Sequence, residues 1–211
     1  MSSEQQARAW LFDTLEVRPA KMAKLAQLAE LVIAGNREQN LISKTTEDDI
    51  WWRHIVDSAQ LLTGLPLASS KRERRWIDLG SGAGFPGLVI AIITGDPIVL
   101  SEMRPARAAF LEDCATELAL ANVTIFGGKA ETMEDCADII TARAFAPLEK
   151  LVKKSRHLAG RKTIWLLPKG KNAVNELANL PQPWQDAFHV KQSVTSPDSA
   201  ILIGKGRFSG G

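Results

Sequence analysis

The stretch from Trp76 to Ala91, which reads WIDLGSGAGFPGLVIA, constrains the fold of this chain most strongly. A short apolar run ends in an acid and three alternating glycines, and a second apolar run follows Pro86. Proline is tolerated in the first turn of a helix because an N–H there has no intrahelical partner to lose. The stretch therefore predicts a strand, a glycine-rich turn and a helix, which together open a nucleotide-binding βαβ unit.

Two classes of ligand use such a turn, since glycines let a ligand approach the backbone and the N–H groups of the helix face it. Read from Gly82, with Glu102 twenty residues later, the pattern fits a dinucleotide fingerprint. Read from Asp78 through Gly80, Gly82 and Gly84, it fits the S-adenosylmethionine turn of methyltransferases. A carboxylate at Asp78 would repel a pyrophosphate and suits the ammonium and sulfonium charges of adenosylmethionine. Glu102 can accept hydrogen bonds from ribose hydroxyls with either ligand, so the position of Asp78 favours adenosylmethionine.

Length and composition indicate the class of protein. The chain has 211 residues, of which 45% are hydrophobic and 24% charged, as expected for one globular domain with an extension. A net charge of +2 permits nucleic acid as a partner but does not argue for it. No apolar run approaches the ~18 residues of a membrane helix, so we expect no membrane partner and a cytoplasmic location. Cys114 and Cys136 have no metal-site spacing, and we expect inert cysteines and no bound metal.

Strands alternate with helices along the chain, which predicts an α/β fold. We expect a Rossmann-like, mostly parallel sheet with helices on both faces and an antiparallel C-terminal hairpin. Residues 1–70 are expected to form an N-terminal helical cap and residues 71–211 the core, as one compact unit. A loop is expected at 36–43, a charged linker at 71–75 and a frayed tail at 204–211. The expected helices span 3–16, 19–35, 51–62, 105–121 and 150–158, and the expected strands span 76–79, 97–101, 123–126, 138–141, 163–167, 184–194 and 200–203.

Four charged side chains follow strand ends in this arrangement. Ligands of open parallel sheets bind beyond the carboxyl ends of the strands. Asp78, Glu102, Glu131 and Arg143 all fall at that edge of the expected sheet. This coincidence indicates a cofactor site.

The helix expected over residues 51–62 carries three unusual polar side chains, Arg53, His54 and Asp57, in an otherwise apolar sequence. In one interpretation Arg53 and Asp57 form an i,i+4 ion pair and His54 is a half-buried surface group. In the other, these side chains face a functional site. Thr46 and Asp49, just before the helix, resemble a capping box.

A basic stretch follows the fourth expected strand. Lys150, Lys153 and Lys154 lie on one expected helix, and Lys169 follows the fifth strand. Lysines beside a cofactor site could hold phosphates and make RNA binding salt-dependent. Alternatively, they form a solvated helix face.

The methyl-donor interpretation narrows the chemistry. Methyl transfer from a sulfonium is a direct displacement, in which alignment of the reactants can supply ~7–11 kcal/mol. The Asn/Asp-Pro-Pro-aromatic loop of amino-group methyltransferases is absent after the fourth strand. Carbon-5 pyrimidine methylation needs a nucleophilic cysteine, and neither cysteine is well placed for that role. A nucleophile with a free lone pair, such as guanine N7, remains.

Six motifs carry a resemblance to a known family. They are NLIS at Asn40–Ser43, RHIVDS at Arg53–Ser58, IDLGSGAGFPG at Ile77–Gly87, Ala130-Glu131, TARAFAPL at Thr141–Leu148 and LPKGK at Leu167–Lys171. With these motifs in this order, the chain resembles the bacterial glucose-inhibited division protein B family, the small-subunit ribosomal RNA guanine-N7 methyltransferases. RHxxDS and Arg-Ala-Phe-Ala are more specific than the glycines.

The resemblance implies a class I methyltransferase fold, S-adenosyl-L-methionine as cofactor and 16S ribosomal RNA, within the small ribosomal subunit, as substrate. The methylated atom would be N7 of a guanine in the decoding-centre loop, and we expect a monomer. Arg53, His54 and Arg143 become candidates for positioning the substrate. The residues expected to bind the cofactor, from the turn and the resemblance together, are Asp78, Gly80, Gly82, Phe85, Glu102, Ala130, Glu131 and Arg143.

Two rival interpretations stay open. One is a methyltransferase of the same fold that acts on a small molecule or a protein. The other is a dinucleotide-binding module, against which the lack of a second substrate domain counts.

Overall fold

The computed structural model describes residues 2–65 and 73–208, and the strands in these ranges form one sheet of seven. Its order is β3-β2-β1-β4-β5-β7-β6. The strands are β1 (Trp76–Leu79), β2 (Ile98–Ser101), β3 (Val123–Phe126), β4 (Ala137–Thr141), β5 (Ala159–Lys169), β6 (Phe188–Gln192) and β7 (Ala200–Lys205).

The first five strands are parallel, and β7 runs antiparallel to both of its neighbours. β1 lies in the middle of the parallel part, where Asp78 pairs in register with Leu100 of β2 and Thr141 of β4. Since β1 is flanked on both sides, every residue of β1 is buried. The predicted fold class, including the antiparallel C-terminal hairpin, is confirmed.

Helices cover the sheet and the edge at which its parallel strands end. The α-helices are α1 (Ser3–Leu15), α2 (Pro19–Gln39), α3 (Asp57–Ala59), α4 (Gly87–Thr94), α5 (Pro105–Glu117), α6 (Leu148–Ser155), α7 (Ala173–Ala178) and α8 (Gln182–Gln185). Short 3₁₀ turns lie at Lys44–Thr46, Gln60–Gly64, Ala130–Thr132 and Arg156–Leu158, and a π-helix spans Trp51–Val56.

The predicted N-terminal helices are present: α2 packs against α4 and α5, and α1 packs against the π-helix at Trp51–Val56. α1 begins at a capping box between Ser2 and Gln5, and α2 begins at Pro19. Leu11, Leu25 and other apolar side chains of these helices share one buried cluster with α4 and α5. The helices are thereby fixed over one face of the sheet by the burial of apolar surface.

The loop predicted over residues 36–43 was wrong in its first half, because α2 continues to Gln39. Asn36 is buried, and its Oδ1 accepts a hydrogen bond from the Ile42 backbone N–H at 2.8 Å. Asn40 then takes the left-handed conformation that ends the helix, with φ of 47°. The side chain of Asn36 therefore stabilises the turn that follows α2, and it does not interrupt the helix.

Other boundaries also differ from the prediction. α5 ends at Glu117 rather than at residue 121, since Ala119 adopts a left-handed φ of 46°. β5 is longer than residues 163–167, because β4 and β7 pair with it on either side. Trp184, predicted in a strand, lies in α8 and packs against Phe208. The helix α7 was not predicted.

Three sequence predictions fall partly or wholly outside the described residues. The boundary between cap and core near residue 70, and the first two residues of the charged linker, lie in the range 66–72. The last three residues of the predicted tail are also outside, and the frayed tail was wrong for the described part, since β7 continues to Lys205 and Phe208 is buried against Trp184. Within the described part of the chain, no helix is both long enough and apolar enough to cross a membrane.

Candidate active site

Asp78, at the end of β1, holds the glycine-rich turn against the start of α4. Its Oδ2 accepts a hydrogen bond from the Gly87 backbone N–H at 3.2 Å. A Cβ atom at Gly87 would lie 2.7 Å from that oxygen and 2.2 Å from the Leu100 side chain. Glycine is therefore required at position 87 for the helix to approach the strand this closely.

The Asp78 carboxyl group is fully buried, and burial raises its pKa to about 7. The nearby Ser81 hydroxyl, which donates to the Asp78 backbone carbonyl at 3.0 Å, and the hydrogen bond from the Gly87 N–H oppose this shift in pKa without cancelling it. Oδ1 has no hydrogen-bond partner among the residues that the structure describes. A buried acceptor without a partner is costly, so this oxygen would gain free energy from a donor or a cation brought to the turn.

The turn itself uses three residues with left-handed backbones, Gly80, Gly82 and Gly84, whose φ angles are 67°, 57° and 90°. A Cβ on Gly80 would lie 2.6 Å from the Phe145 ring, whereas one on Gly82 would meet nothing closer than 3.8 Å. The three glycines are thus required by conformation, and a Cβ on Gly82 would make only ordinary van der Waals contacts, with the Gly80 carbonyl and Arg107.

Glu102 lies at the end of β2 and binds two backbone N–H groups. Its Oε2 accepts from Gly82 at 3.1 Å, and its Oε1 accepts from Arg104 at 2.9 Å. An ionised carboxylate offers about four acceptor positions, so two remain for hydroxyl groups of a ligand. The glycine-rich turn and the acid are therefore joined in one structure, as their common strand edge predicts.

A cavity of about 460 Å³, named the turn cavity, opens at this edge of the sheet. Among its lining residues are Gly80, Glu102, Ala130, Glu131 and Phe145. Four of the predicted cofactor residues therefore share one cavity. Asp78 and Phe85 are buried and do not line it, Gly82 is not among its lining residues, and Arg143 lines a different cavity, described below.

Glu131 carries an ion pair that its sequence position did not reveal. Its carboxylate accepts a hydrogen bond from Lys154 of α6. That hydrogen bond is the main reason that the pKa of Glu131 is lowered. Since both side chains line the turn cavity, a ligand there meets a paired carboxylate.

His54 is buried beside the turn and is held in one tautomer. Its Nδ1 receives a hydrogen bond from Arg143 Nη2 at 2.9 Å, since a guanidinium can only donate. Nε2 therefore carries the proton and donates to Thr46 Oγ1 at 2.8 Å. Thr46 in turn donates to the Ser43 carbonyl, so the capping box predicted for Thr46 was wrong. The imidazole also stacks on Phe85, with ring centroids 5.0 Å apart.

The His54 imidazole stays neutral. Burial is the largest cause that lowers its pKa to about 3, followed by the positive charges of Arg143 and Arg53. With both ring nitrogens engaged, His54 has no lone pair to offer a substrate. Its role is to accept the hydrogen bond from Arg143 and so hold that side chain in place.

Arg143 connects the RHIVDS segment with the loop after β4. Its Nη1 lies 3.3 Å from Asp57 Oδ2, and its guanidinium lies 5.4 Å from the centre of the Phe85 ring. The predicted pair between Arg53 and Asp57 was wrong, because Asp57 turns toward Arg143 and Arg53 is exposed. Arg143 is 22% exposed and paired, so it remains a cation at neutral pH.

The tip of the C-terminal hairpin also contacts the RHIVDS segment. Thr195 Oγ1 donates to Asp57 Oδ1 at 2.7 Å, and Gln60 Oε1 accepts from the Val194 backbone N–H at 2.9 Å. These contacts join residues that are more than 130 positions apart in the sequence. No local pattern predicts them.

A second cavity, named the hairpin cavity, has a volume of about 480 Å³. It lies on the other side of the loop that contains Ala144, Ala146 and Pro147, since those three residues line both cavities. Of its polar lining residues, sequence analysis singled out Asp57, Arg143 and Lys169 but missed Gln60, Glu176 and Ser193.

The predicted RNA-binding lysines differ in their surroundings. Lys153 pairs with Glu149 at 2.7 Å, Lys154 pairs with Glu131, and Lys169 pairs with Glu176 at 2.8 Å. Lys150 lines the turn cavity, is exposed and forms no ion pair within residues 2–65 and 73–208.

The cysteines do not contribute to either cavity. Cys114 is buried, and burial raises the pKa of its thiol to about 12, so it is a poor nucleophile. Cys136 is exposed and lies just before β4, at the opposite end of the parallel strands. Among the described residues, no group of three or more metal-binding side chains forms a site.

Comparison with known proteins identifies relatives of this chain. The family model GidB, described as rRNA small subunit methyltransferase G, matches residues 21–201. The protein named Ribosomal RNA small subunit methyltransferase G from Novosphingobium aromaticivorans is 46% identical over 205 residues, which cover 96% of this chain and 88% of that protein. A protein of the same name from Sphingopyxis alaskensis is 45% identical and covers 99% of this chain and 89% of its own length.

Solved structures agree at the level of the fold. A mutant of MtNAS in complex with S-adenosylmethionine superposes with a TM-score of 0.57 at 16% identity, over 96% of this chain and 83% of that one. The fibrillarin/Nop5p complex gives a TM-score of 0.56 at 15% identity, over 74% of this chain and 82% of that one. With a family model that matches most of the chain and relatives well above 40% identity, the chain belongs to the GidB family of small-subunit rRNA methyltransferases.

Proposed function

We propose that the protein transfers the methyl group of S-adenosyl-L-methionine to N7 of a guanine in the decoding-centre loop of 16S ribosomal RNA. The observation that carries the proposal is the pair of adjoining cavities at one edge of the sheet. The turn cavity has the lining of a cofactor site, and the hairpin cavity lies directly across the Ala144–Pro147 loop. Membership in a family whose relatives are named rRNA methyltransferases supports the same assignment.

The residues of the turn cavity fit adenosylmethionine. Glu102 lines the cavity, and its free acceptor positions suit the two ribose hydroxyls. Asp78 Oδ1 is a buried acceptor without a partner near the same turn, which suits a positively charged donor group. When bound, the cofactor supplies an electrophilic methyl carbon. Ala130 and Glu131 would close the cavity on the side of β3 and β4.

The chemistry of the site matches an acceptor that needs no deprotonation. Guanine N7 already has a lone pair, so no general base must remove a proton before the methyl group is transferred. His54 is neutral and bonded at both nitrogens, and Asp57 is paired with Arg143. What these residues supply is position: His54 and Asp57 hold Arg143 at the boundary between the two cavities, and alignment is the main source of catalysis in such a displacement.

We further propose that the enzyme is a cytoplasmic monomer that acts on RNA within the small ribosomal subunit. Lys150 at the mouth of the turn cavity and the paired Lys153 and Lys154 on α6 supply positive charge on that side of the site. Phosphates held there would make binding depend on salt. Arg53 is exposed next to the buried His54 and would contact RNA at the active-site mouth.

The test is methyl transfer from labelled adenosylmethionine to small subunits isolated from cells that lack this enzyme. We expect label in the RNA fraction, and faster transfer to intact subunits than to deproteinised 16S RNA. Label in the ribosomal proteins, or none despite demonstrated binding of adenosylhomocysteine, would favour the alternative of a protein or small-molecule methyltransferase. Equal rates with subunits and free RNA would contradict only the preference for the assembled subunit.

A further inference from the structure

The hairpin cavity contains a charged pair to which the proposed function assigns no role. Lys169 is the last residue of β5, and its side chain is only 10% exposed. Its Nζ donates to Glu176 Oε2 at 2.8 Å and to the Ala146 carbonyl at 2.9 Å. Because an ammonium group has three N–H donors, one donor is left for a ligand in the cavity.

Glu176, on α7, also has an unused hydrogen-bonding position. Its Oε2 accepts from Lys169 and from the Leu148 backbone N–H at 2.7 Å. Both bonds fall on the same oxygen, which leaves Oε1 as an acceptor on a side chain that is 27% exposed. The pair therefore presents one donor beside one acceptor to the cavity.

This order of donor and acceptor distinguishes the purine bases. Guanine presents the O6 acceptor next to the N1–H donor, whereas adenine presents the N6 amino donor next to the N1 acceptor. With the base oriented so that N7 faces the loop shared by the two cavities and position 6 faces Lys169, the pair complements guanine at both positions and opposes adenine at both. A flipped base is read in this way, through its Watson–Crick edge, by enzymes that modify bases.

The placement of the pair also agrees with attack by N7. O6 of guanine lies between N7 and N1 on the edge of the ring. Lys169 contacts Ala146, which belongs to the loop shared with the turn cavity. If Lys169 binds O6, N7 lies on the side of that loop and N1–H lies on the side of Glu176.

We propose that Lys169 and Glu176 determine specificity by reading O6 and N1–H of a guanine base that enters the hairpin cavity. The inference rests on the proposed function for the reaction, but base recognition can be measured without it. It assigns Lys169 to the base rather than to a phosphate, since the adjacent Glu176 carboxylate would repel a phosphate. The 10% exposure of Lys169 supports the same assignment.

The test is titration of the adenosylhomocysteine complex with guanosine monophosphate and, separately, with adenosine monophosphate. The NMR line shapes of the protein give the affinity for each nucleotide. The two nucleotides carry the same phosphate and ribose, so a difference in affinity reports the base alone. We expect the guanine nucleotide to bind roughly tenfold more tightly, the usual order of discrimination by a two-point base contact. Equal affinities, or no measurable binding of either nucleotide, would overturn the proposal.

Glu176→Gln is the informative variant. Lys169 and the Leu148 N–H both need an acceptor, so the amide oxygen faces them and the amide NH₂ group faces the base in place of Oε1. We expect the preference for guanine to disappear, while the affinity for adenosylhomocysteine stays unchanged. Glu112→Gln, the same substitution at an exposed position of α5, is the matched control and should keep the preference.

The outcomes also separate this proposal from the proposed function. A guanine preference that Glu176→Gln removes, without methylation of small-subunit RNA, would support the base pocket and contradict the substrate. Methylation of RNA by a protein whose adenosylhomocysteine complex binds both nucleotides equally would contradict the base pocket alone.

Discussion

At the scale of single residues, the site depends on charged groups whose environment fixes their state. Arg143 receives two kinds of support, an ion pair from Asp57 and a hydrogen-bond acceptor from His54. The imidazole can act as an acceptor only while it is neutral, and its burial keeps it so. Burial favours the neutral form of Asp78 as well, but since its neutral form is the protonated carboxyl group, its pKa is raised rather than lowered.

The first prediction concerns the pH dependence of stability caused by Asp78. Its pKa is about 7 in the folded protein, against an ordinary value of 3.8 for an aspartate, so ionisation opposes folding. The contribution of the Asp78 side chain to the free energy of unfolding is fully present below pH 4 and is lost as pH rises through 7. Relative to Asp78→Asn, the ligand-free wild type should lose on the order of a few kcal/mol between pH 4 and 8.

Urea unfolding of both proteins at a series of pH values measures this difference. His54 has a lowered pKa and contributes a loss of stability as pH falls below 6.5, but this effect is common to both proteins and cancels. Asp113→Asn, at an exposed position on α5, provides the surface control. A difference between wild type and Asp78→Asn that does not change with pH would contradict the account.

The second prediction concerns Gly80. Alanine there would place Cβ 2.6 Å from the Phe145 ring at a φ of 67°, so the ring that lines the turn cavity must move. We expect the affinity for adenosylhomocysteine to fall about tenfold and stability to fall by about 1–3 kcal/mol. Gly160→Ala is the control, since its Cβ would have only an ordinary contact at 3.9 Å. Calorimetric titration showing unchanged affinity for Gly80→Ala would remove Gly80 from the cofactor site.

At the scale of elements, local signals predicted the parts that local residues determine. The unit of β1, turn and α4 was predicted correctly because its glycines and its proline stand where the backbone needs them. α7 was missed because it has six residues, of which only Ala173 is buried, so it has no apolar periodicity. Its absence from the prediction also hid Glu176, and with it half of the charged pair in the hairpin cavity.

Contacts between side chains that are far apart in the sequence set the other limit on what could be predicted. Sequence analysis offered Arg53 as the partner of Asp57, because positions i and i+4 of a helix are neighbours. The structure brings Arg143 to Asp57 from 86 residues away, through the sheet order that places the loop after β4 beside the 51–64 segment. The sequence predicts that Asp57 and Arg143 are functional candidates, but only the fold shows that they act together.

The third prediction concerns α6 as an RNA-binding element. Lys150 is exposed at the mouth of the turn cavity and unpaired within the described residues, whereas Lys153 already pairs with Glu149. Lys150→Ala should weaken RNA binding and reduce the slope of log K against log salt by about 1. Lys153→Ala should reduce it by less. Filter binding at several salt concentrations measures both slopes, and an unchanged slope for Lys150→Ala would leave α6 as a solvated face.

At the scale of the whole molecule, the fold assembles the site from distant segments. The 51–64 helical segment, the parallel strand ends and the C-terminal hairpin meet around Arg143 and Asp57. The fold class was predictable from the alternation of strands and helices. The division into two cavities was not, since it depends on how the hairpin tip packs on residues 57–60.

The most direct test of the central claim is nucleoside mass spectrometry of 16S RNA after reaction of small subunits with the enzyme and adenosylmethionine. The account predicts 7-methylguanosine as the new nucleoside, located by nuclease digestion to one guanine of the decoding-centre loop. Glu112→Gln should give the same product, and Gly80→Ala should give less at limiting cofactor. A methyl group on another atom or another base, or none in the RNA, would contradict the claim.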